Sequence, residues 1–99
     1  MNIFVTKIAR EDIINIQNFI KEGSPGYADI FVGKIIDKIE NLSFMPKKGR
    51  VVPEFQLESI REIIFQSYRI VYRLEDSQIT VLSVLHGAKL LKDSILQRD

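Results

Sequence analysis

Residues Ile60–Lys89 read I-R-E-I-I-F-Q-S-Y-R-I-V-Y-R-L-E-D-S-Q-I-T-V-L-S-V-L-H-G-A-K. β-Branched and aromatic residues crowd this stretch, as they do in strands. Tyr68–Glu75 and Gln78–Leu85 flank the tight turn Glu75-Asp76-Ser77, and Ile60–Phe65 precedes them as a further strand. Side chains alternate across a strand, so Tyr68, Ile70, Tyr72 and Leu74 share one face, while Arg69, Val71 and Arg73 share the other. In the last run Ile79, Val81 and Leu85 alternate with Leu82, Val84 and His86, a two-sided apolar pattern that predicts a central strand. His86 is the only histidine, and Gly87 follows it. Arg61, Arg69 and Arg73 are read as converging on one side of this meander. The planar fork of each suits phosphate or carboxylate.

Working outward, Ile3-Phe4-Val5-Thr6 is a short β-prone run within Asn2–Ile8. From Ala9 the period changes: Ile13, Ile16 and Ile20, with Phe19 beside the last, recur at helical spacing. Glu11 and Asp12 suit the positive end of that helix. Gly23-Ser24-Pro25-Gly26 stops it, with Ser24 as the next cap and Pro25 at the first helical position. A second helix from about Tyr27 to Leu42 carries Phe31, Ile35, Ile39 and Leu42 on one face, widened by Ile30 and Ile36. So short a link predicts an antiparallel helical hairpin. Met45-Pro46-Lys47-Lys48-Gly49-Arg50 and Pro53 then break the pattern, and Leu90, Leu91 and Ile95 mark a short C-terminal helix. The order predicts one α+β domain over residues 1–99. An N-terminal strand and a helical hairpin pack on an antiparallel sheet of three to four strands. Where the first strand joins the sheet is left open.

With 99 residues the chain has the size of one domain with one modest core. No apolar run approaches the roughly 20 residues that span a bilayer, and the N-terminus lacks the pattern of a signal peptide. No membrane partner is expected. The absence of cysteine excludes disulfides and thiolate chemistry and fits the reducing cytoplasm. One histidine and no cysteine make a metal centre unexpected, and no glycine-rich phosphate loop is present, so no cofactor is expected. A net charge of +1 argues against a strong general nucleic-acid binder. The charge is uneven, however. Between Met45 and Leu74, Lys47, Lys48, Arg50, Arg61, Arg69 and Arg73 face only Glu54, Glu58 and Glu62.

On these residues the chain resembles the RelE/ParE superfamily of bacterial toxins. The element order matches, as do Met45-Pro46 with Gly49, Ile60-Arg61-Glu62, Tyr68-Arg69-Ile70-Val71-Tyr72-Arg73 and Val84-Leu85-His86-Gly87-Ala88. The family's H-G-A-R ending reads His86-Gly87-Ala88-Lys89 here, which keeps the charge and loses the fork. The block as a whole is closer to the ParE-like, plasmid-stabilisation branch. That resemblance implies a toxin that inhibits growth by binding its target, DNA gyrase. A cognate antitoxin neutralises it by adding a strand to an open sheet edge, or a helix to the hairpin, and by covering Arg61, Arg69 and Arg73.

The resemblance also implies an alternative, a RelE-like enzyme that cuts messenger RNA in the ribosome without a metal. Cleavage would use the RNA 2′-hydroxyl, with Arg61 and Arg69 on the phosphate, Glu54 as base and His86 as base or acid. Against it, Leu90–Asp99 contains no tyrosine or histidine, where some family nucleases carry a catalytic group. A third alternative is a non-toxic member that only binds antitoxin. Phosphate or partner contacts are assigned to Lys47, Lys48, Arg50, Arg61, Arg69, Arg73 and Lys89. Arg69→Ala is expected to weaken toxicity and leave the fold intact.

Overall fold

The two residues Gln66-Ser67, with Gln66 at φ 54°, set the register of the sheet. They close a hairpin in which Phe65 faces Tyr68, so Ile63 pairs with Ile70 and Arg61 with Tyr72. The computed structural model describes all 99 residues. Its elements are β1 (Asn2–Val5), α1 (Lys7–Gly23), α2 (Pro25–Asn41), β2 (Arg50–Val51), β3 (Ile60–Phe65), β4 (Tyr68–Leu74), β5 (Gln78–His86) and a single 3-10 segment, Asp93–Gln97. The sheet runs β1-β5-β4-β3-β2. Every pair is antiparallel except β1 with β5, which is parallel from Asn2↔Gln78 to Val5↔Val81. The N-terminal strand is thus an edge, and the sheet has five strands where three to four were expected. The two added residues of β2 lie in a segment whose prolines and glycine conceal them.

The hairpin covers one face. Phe31, Ile35 and Ile39 of α2, with Ala9 and Ile16 of α1, pack on Ile70, Tyr72, Ile79, Val81 and Val84. Each fully buried aliphatic or aromatic side chain contributes roughly 1.5–3 kcal/mol by leaving water. Ile30 and Ile36, expected to widen the buried stripe, point outward and stay exposed. The opposite face is half covered, by Val52 and the C-terminal segment: Ile95 packs against Ile60, Val71 and Leu82. The expected C-terminal helix is only the 3-10 turn. Arg73 donates from Nη1 to the carbonyls of Leu96 (3.3 Å) and Arg98 (3.0 Å), pulling the chain across the sheet.

Two local devices differ from expectation. Helix α1 starts at Lys7, earlier than the apolar period suggests, because the Thr6 hydroxyl accepts from Ala9 N–H at 3.0 Å. Glu11 and Asp12 therefore lie beyond the first turn. Asp12 instead serves β5, where β1 has ended: one carboxylate oxygen accepts from the Ser83 hydroxyl (2.8 Å) and Val84 N–H (3.0 Å). Ser24 occupies the cap of α2, with Pro25 following, yet its side chain makes no capping bond; its own N–H closes α1 on Ile20. A register shift at Val71/Tyr72 bulges the β4–β5 pair. It breaks the alternation of β5, so Val84 and His86 fall on the helix side with Val81, and Leu85 falls opposite. No helix is long and apolar enough to cross a membrane.

Candidate functional site

The half-covered face of the sheet carries a cluster of four charged side chains. Ile64 pairs with Arg69 and Glu62 with Val71, so Glu62 and Arg69 are diagonal neighbours on that face. Arg69 donates from Nε to Glu62 Oε1 (2.6 Å) and from Nη1 and Nη2 to the two oxygens of Glu54 (2.7 Å each). Arg50 donates from Nε to the other oxygen of Glu62 at 2.7 Å. The Glu62 side chain has 0% exposure and that of Arg69 has 6%. Such a pair is stable only because each buried lone pair and N–H is spoken for. The hydrogen bond from Arg69 holds the Glu54 carboxyl down at about 2, and the Leu91 N–H adds to that hold against burial. The same carboxylates raise the Arg69 guanidinium above its usual range.

The structure contradicts a one-sided arginine surface. Arg61 pairs with Tyr72 on the helix side, opposite to Arg69. There it donates to the carbonyls of Gly49 (2.9 Å) and Glu58 (3.0 Å) and to the Glu58 carboxylate (2.6 Å). Arg73 shares the face of Arg69 but is held by Glu75 at 2.9 Å and by the C-terminal carbonyls. The register needed to foresee this was present in the sequence: counting back from Gln66-Ser67 places Arg61 opposite Tyr72. The pairing of Glu54 with Arg69 had no such signal, since Glu54 lies in an irregular segment.

His86 pairs with Tyr68 on the helix side, and its Nδ1 accepts from Ala88 N–H at 3.2 Å. It therefore stands on the other face from Arg69 and Glu54. Lys47 and Lys48 are exposed and form no ion pair. Lys89 contributes its backbone carbonyl, which accepts from Arg69 Nη1 at 3.2 Å. Glu54, Arg61, Arg69 and His86 thus do not assemble into one catalytic set. A general base works best with a pKa near the working pH, and a carboxyl held at about 2 is far from it.

Two of the concave surfaces bear on binding. An apolar groove of about 500 Å³ lies between β1 and the hairpin, lined by Ile3, Val5, Ile13, Ile14, Ile36 and Ile39. It borders the open edge of β1: Asn2 and Thr6 donate inward to β5, which by strand alternation leaves the Ile3 and Val5 backbone facing out. A second cleft, of about 720 Å³, lies over the ion-pair cluster between Arg50, Ile64 and Leu90. Reasoning from sequence missed both; the surplus isoleucines Ile14 and Ile36, off the buried stripe, were the available hint.

Solved structures of toxin–antitoxin systems share the fold. The chromosomal ParDE toxin–antitoxin system of P. aeruginosa aligns with TM-score 0.74 at 18% identity, covering 87% of this chain and 95% of that one. The RelBE2 toxin–antitoxin complex of Mycobacterium tuberculosis aligns with TM-score 0.63 at 19% identity, covering 86% and 95%. No curated protein matches in sequence. A family model described as the ParE toxin of the type II toxin–antitoxin system parDE matches residues 3–91. That match takes in both helices, all of the sheet but Asn2, and the Arg69 cluster, and by it the chain belongs to the ParE toxin family.

Proposed function

We propose that this protein arrests growth by binding DNA gyrase, and that a cognate antitoxin neutralises it. Family membership supports the toxin reading, and one structural observation favours binding over cleavage. Arg69 spends its guanidinium on Glu54 and Glu62, while His86 stands on the other side of the sheet. A phosphate would have to displace two carboxylates from Arg69, and His86 could not reach it from the other face. The antitoxin would enter along the groove beside β1, adding main-chain bonds to Ile3 and Val5 while apolar side chains fill the space between Ile13 and Ile36. Antitoxin cover over Arg61, Arg69 and Arg73 loses its basis, because internal partners already hold them. The cysteine-free composition supports action in the cytoplasm.

The test is induction of the chain without its neighbouring gene, followed by three readouts. Growth arrest, stabilised DNA breaks with purified gyrase, and unchanged messenger RNA ends by primer extension are expected. New cuts within translated codons would replace this reading with the nuclease. No growth defect at all would leave a protein that only binds antitoxin.

A further inference from the structure

Leu90 is 81% exposed although the backbone on both sides of it is pinned. The Lys89 carbonyl accepts from Arg69 Nη1 at 3.2 Å, and the Leu91 N–H donates to Glu54 Oε2 at 3.1 Å. The Arg69–Glu54 pair thus holds a leucine out into water. Scattered exposed leucines are ordinary. This one is fixed by a charge network and stands over Ile64, itself 50% exposed, across a cleft whose rim carries Arg50. Within the cluster every group is committed except one. Arg50 uses only Nε, toward Glu62; its Nη1 and Nη2 have no acceptor, and its side chain is 61% exposed.

We infer that Leu90, Ile64 and the free end of Arg50 form the surface that engages the toxin's protein target, through a segment presenting a carboxylate beside an aliphatic side chain. This deepens the proposed function and rests on it. A preorganised aliphatic anchor loses little freedom on binding, and arginine is among the residues enriched at binding hot spots. A lone guanidinium with unspent donors suits a carboxylate in bidentate geometry, as it does a phosphate. Nucleic acid fits less well, since the cleft offers one free cation and no aromatic side chain for a base to stack on. The groove that receives the antitoxin in our reading lies by β1, at the far edge of the sheet from β3, so the two surfaces are separable.

The experiment compares wild type, Leu90→Asp and Leu90→Met by surface plasmon resonance on purified gyrase and on purified antitoxin, with growth arrest in parallel. Leu90→Asp should bind gyrase at least tenfold more weakly, arrest growth less, and keep antitoxin affinity within twofold. Leu90→Met should behave as wild type. Unchanged gyrase affinity and arrest in Leu90→Asp would overturn the surface, as would an equal loss of antitoxin affinity. Binding of a single-stranded RNA oligonucleotide that Leu90→Asp abolishes would overturn the choice of partner. If the wild type arrests growth without touching gyrase, the target assignment fails alone, and loss of arrest in Leu90→Asp still supports the surface. A wild type that neither binds gyrase nor arrests growth removes the functional reading and this surface with it.

Discussion

Arg69 behaves as a structural cation. All three of its donor nitrogens are occupied by carboxylates, and one also holds the Lys89 carbonyl. Removing it would leave the fully buried Glu62 carboxylate with Arg50 alone, on one oxygen, so Arg69→Ala tests folding as much as toxicity. Glu62→Gln isolates the same effect from the other side and should cost about 3 kcal/mol in urea unfolding, the scale for breaking a buried pair. Glu54 supplies a pH dependence with a fixed sign. Its carboxyl sits near 2 in the folded protein and at about 4.5 when free. The stabilisation it provides is complete above about 4.5 and disappears as pH falls toward 2. Urea midpoints of wild type and Glu54→Gln should therefore differ at neutral pH and converge at the acid end of that window. The protection of the Leu91 amide, its hydrogen exchange relative to the intrinsic rate at each pH, should fall over the same range. These partners were hidden from a reading of the sequence because a carboxylate in an irregular segment has no periodicity to place it. Arg61 was legible, because the two-residue turn fixes every pair behind it.

At the scale of elements, β3, β4 and β5 were legible from alternation, and α1 and α2 from their isoleucine and phenylalanine spacing. What escaped was where alternation stops. The shift at Val71/Tyr72 moves Val84 to the helix side, and no residue type there announces it. The β2 segment escaped for a different reason: the turn leading into it is fixed by a side chain distant in sequence. The Tyr72 hydroxyl donates to the Pro46 carbonyl (2.7 Å) and accepts from Gly49 N–H (3.0 Å), and burial pushes the phenol above its usual pKa. A Cβ at position 49 would lie 2.7 Å from both the Glu62 carbonyl oxygen and the Tyr72 hydroxyl. Gly49→Ala must therefore displace backbone, and a loss of roughly 1–3 kcal/mol is expected by thermal or urea unfolding. An unchanged midpoint would show that the Pro46–Gly49 turn yields without cost.

Across the whole molecule, the sheet separates two kinds of surface. Its helix side ends in an apolar groove at the β1 edge, and its other side bears the charge cluster and the C-terminal segment. Partners that use different sides are separable by mutation. Ile36 is 42% exposed, so Ile36→Glu should leave the fold unchanged. It should weaken antitoxin binding at least tenfold by calorimetry, while gyrase binding stays within twofold. Equal losses for both partners would mean that one surface serves both.

The parallel pairing of β1 with β5 also orders events in time. Asn2 leaves the ribosome well before its partner Gln78, which lies far downstream, is polymerised. Until then the opening strand has no ladder to join, and α1, capped through Thr6 on a backbone that hydrogen-bonds Val81, has no fixed seat. Nascent chains stalled before β5 would lack the groove edge, so a translation product cut short there is expected to be harmless and easily degraded.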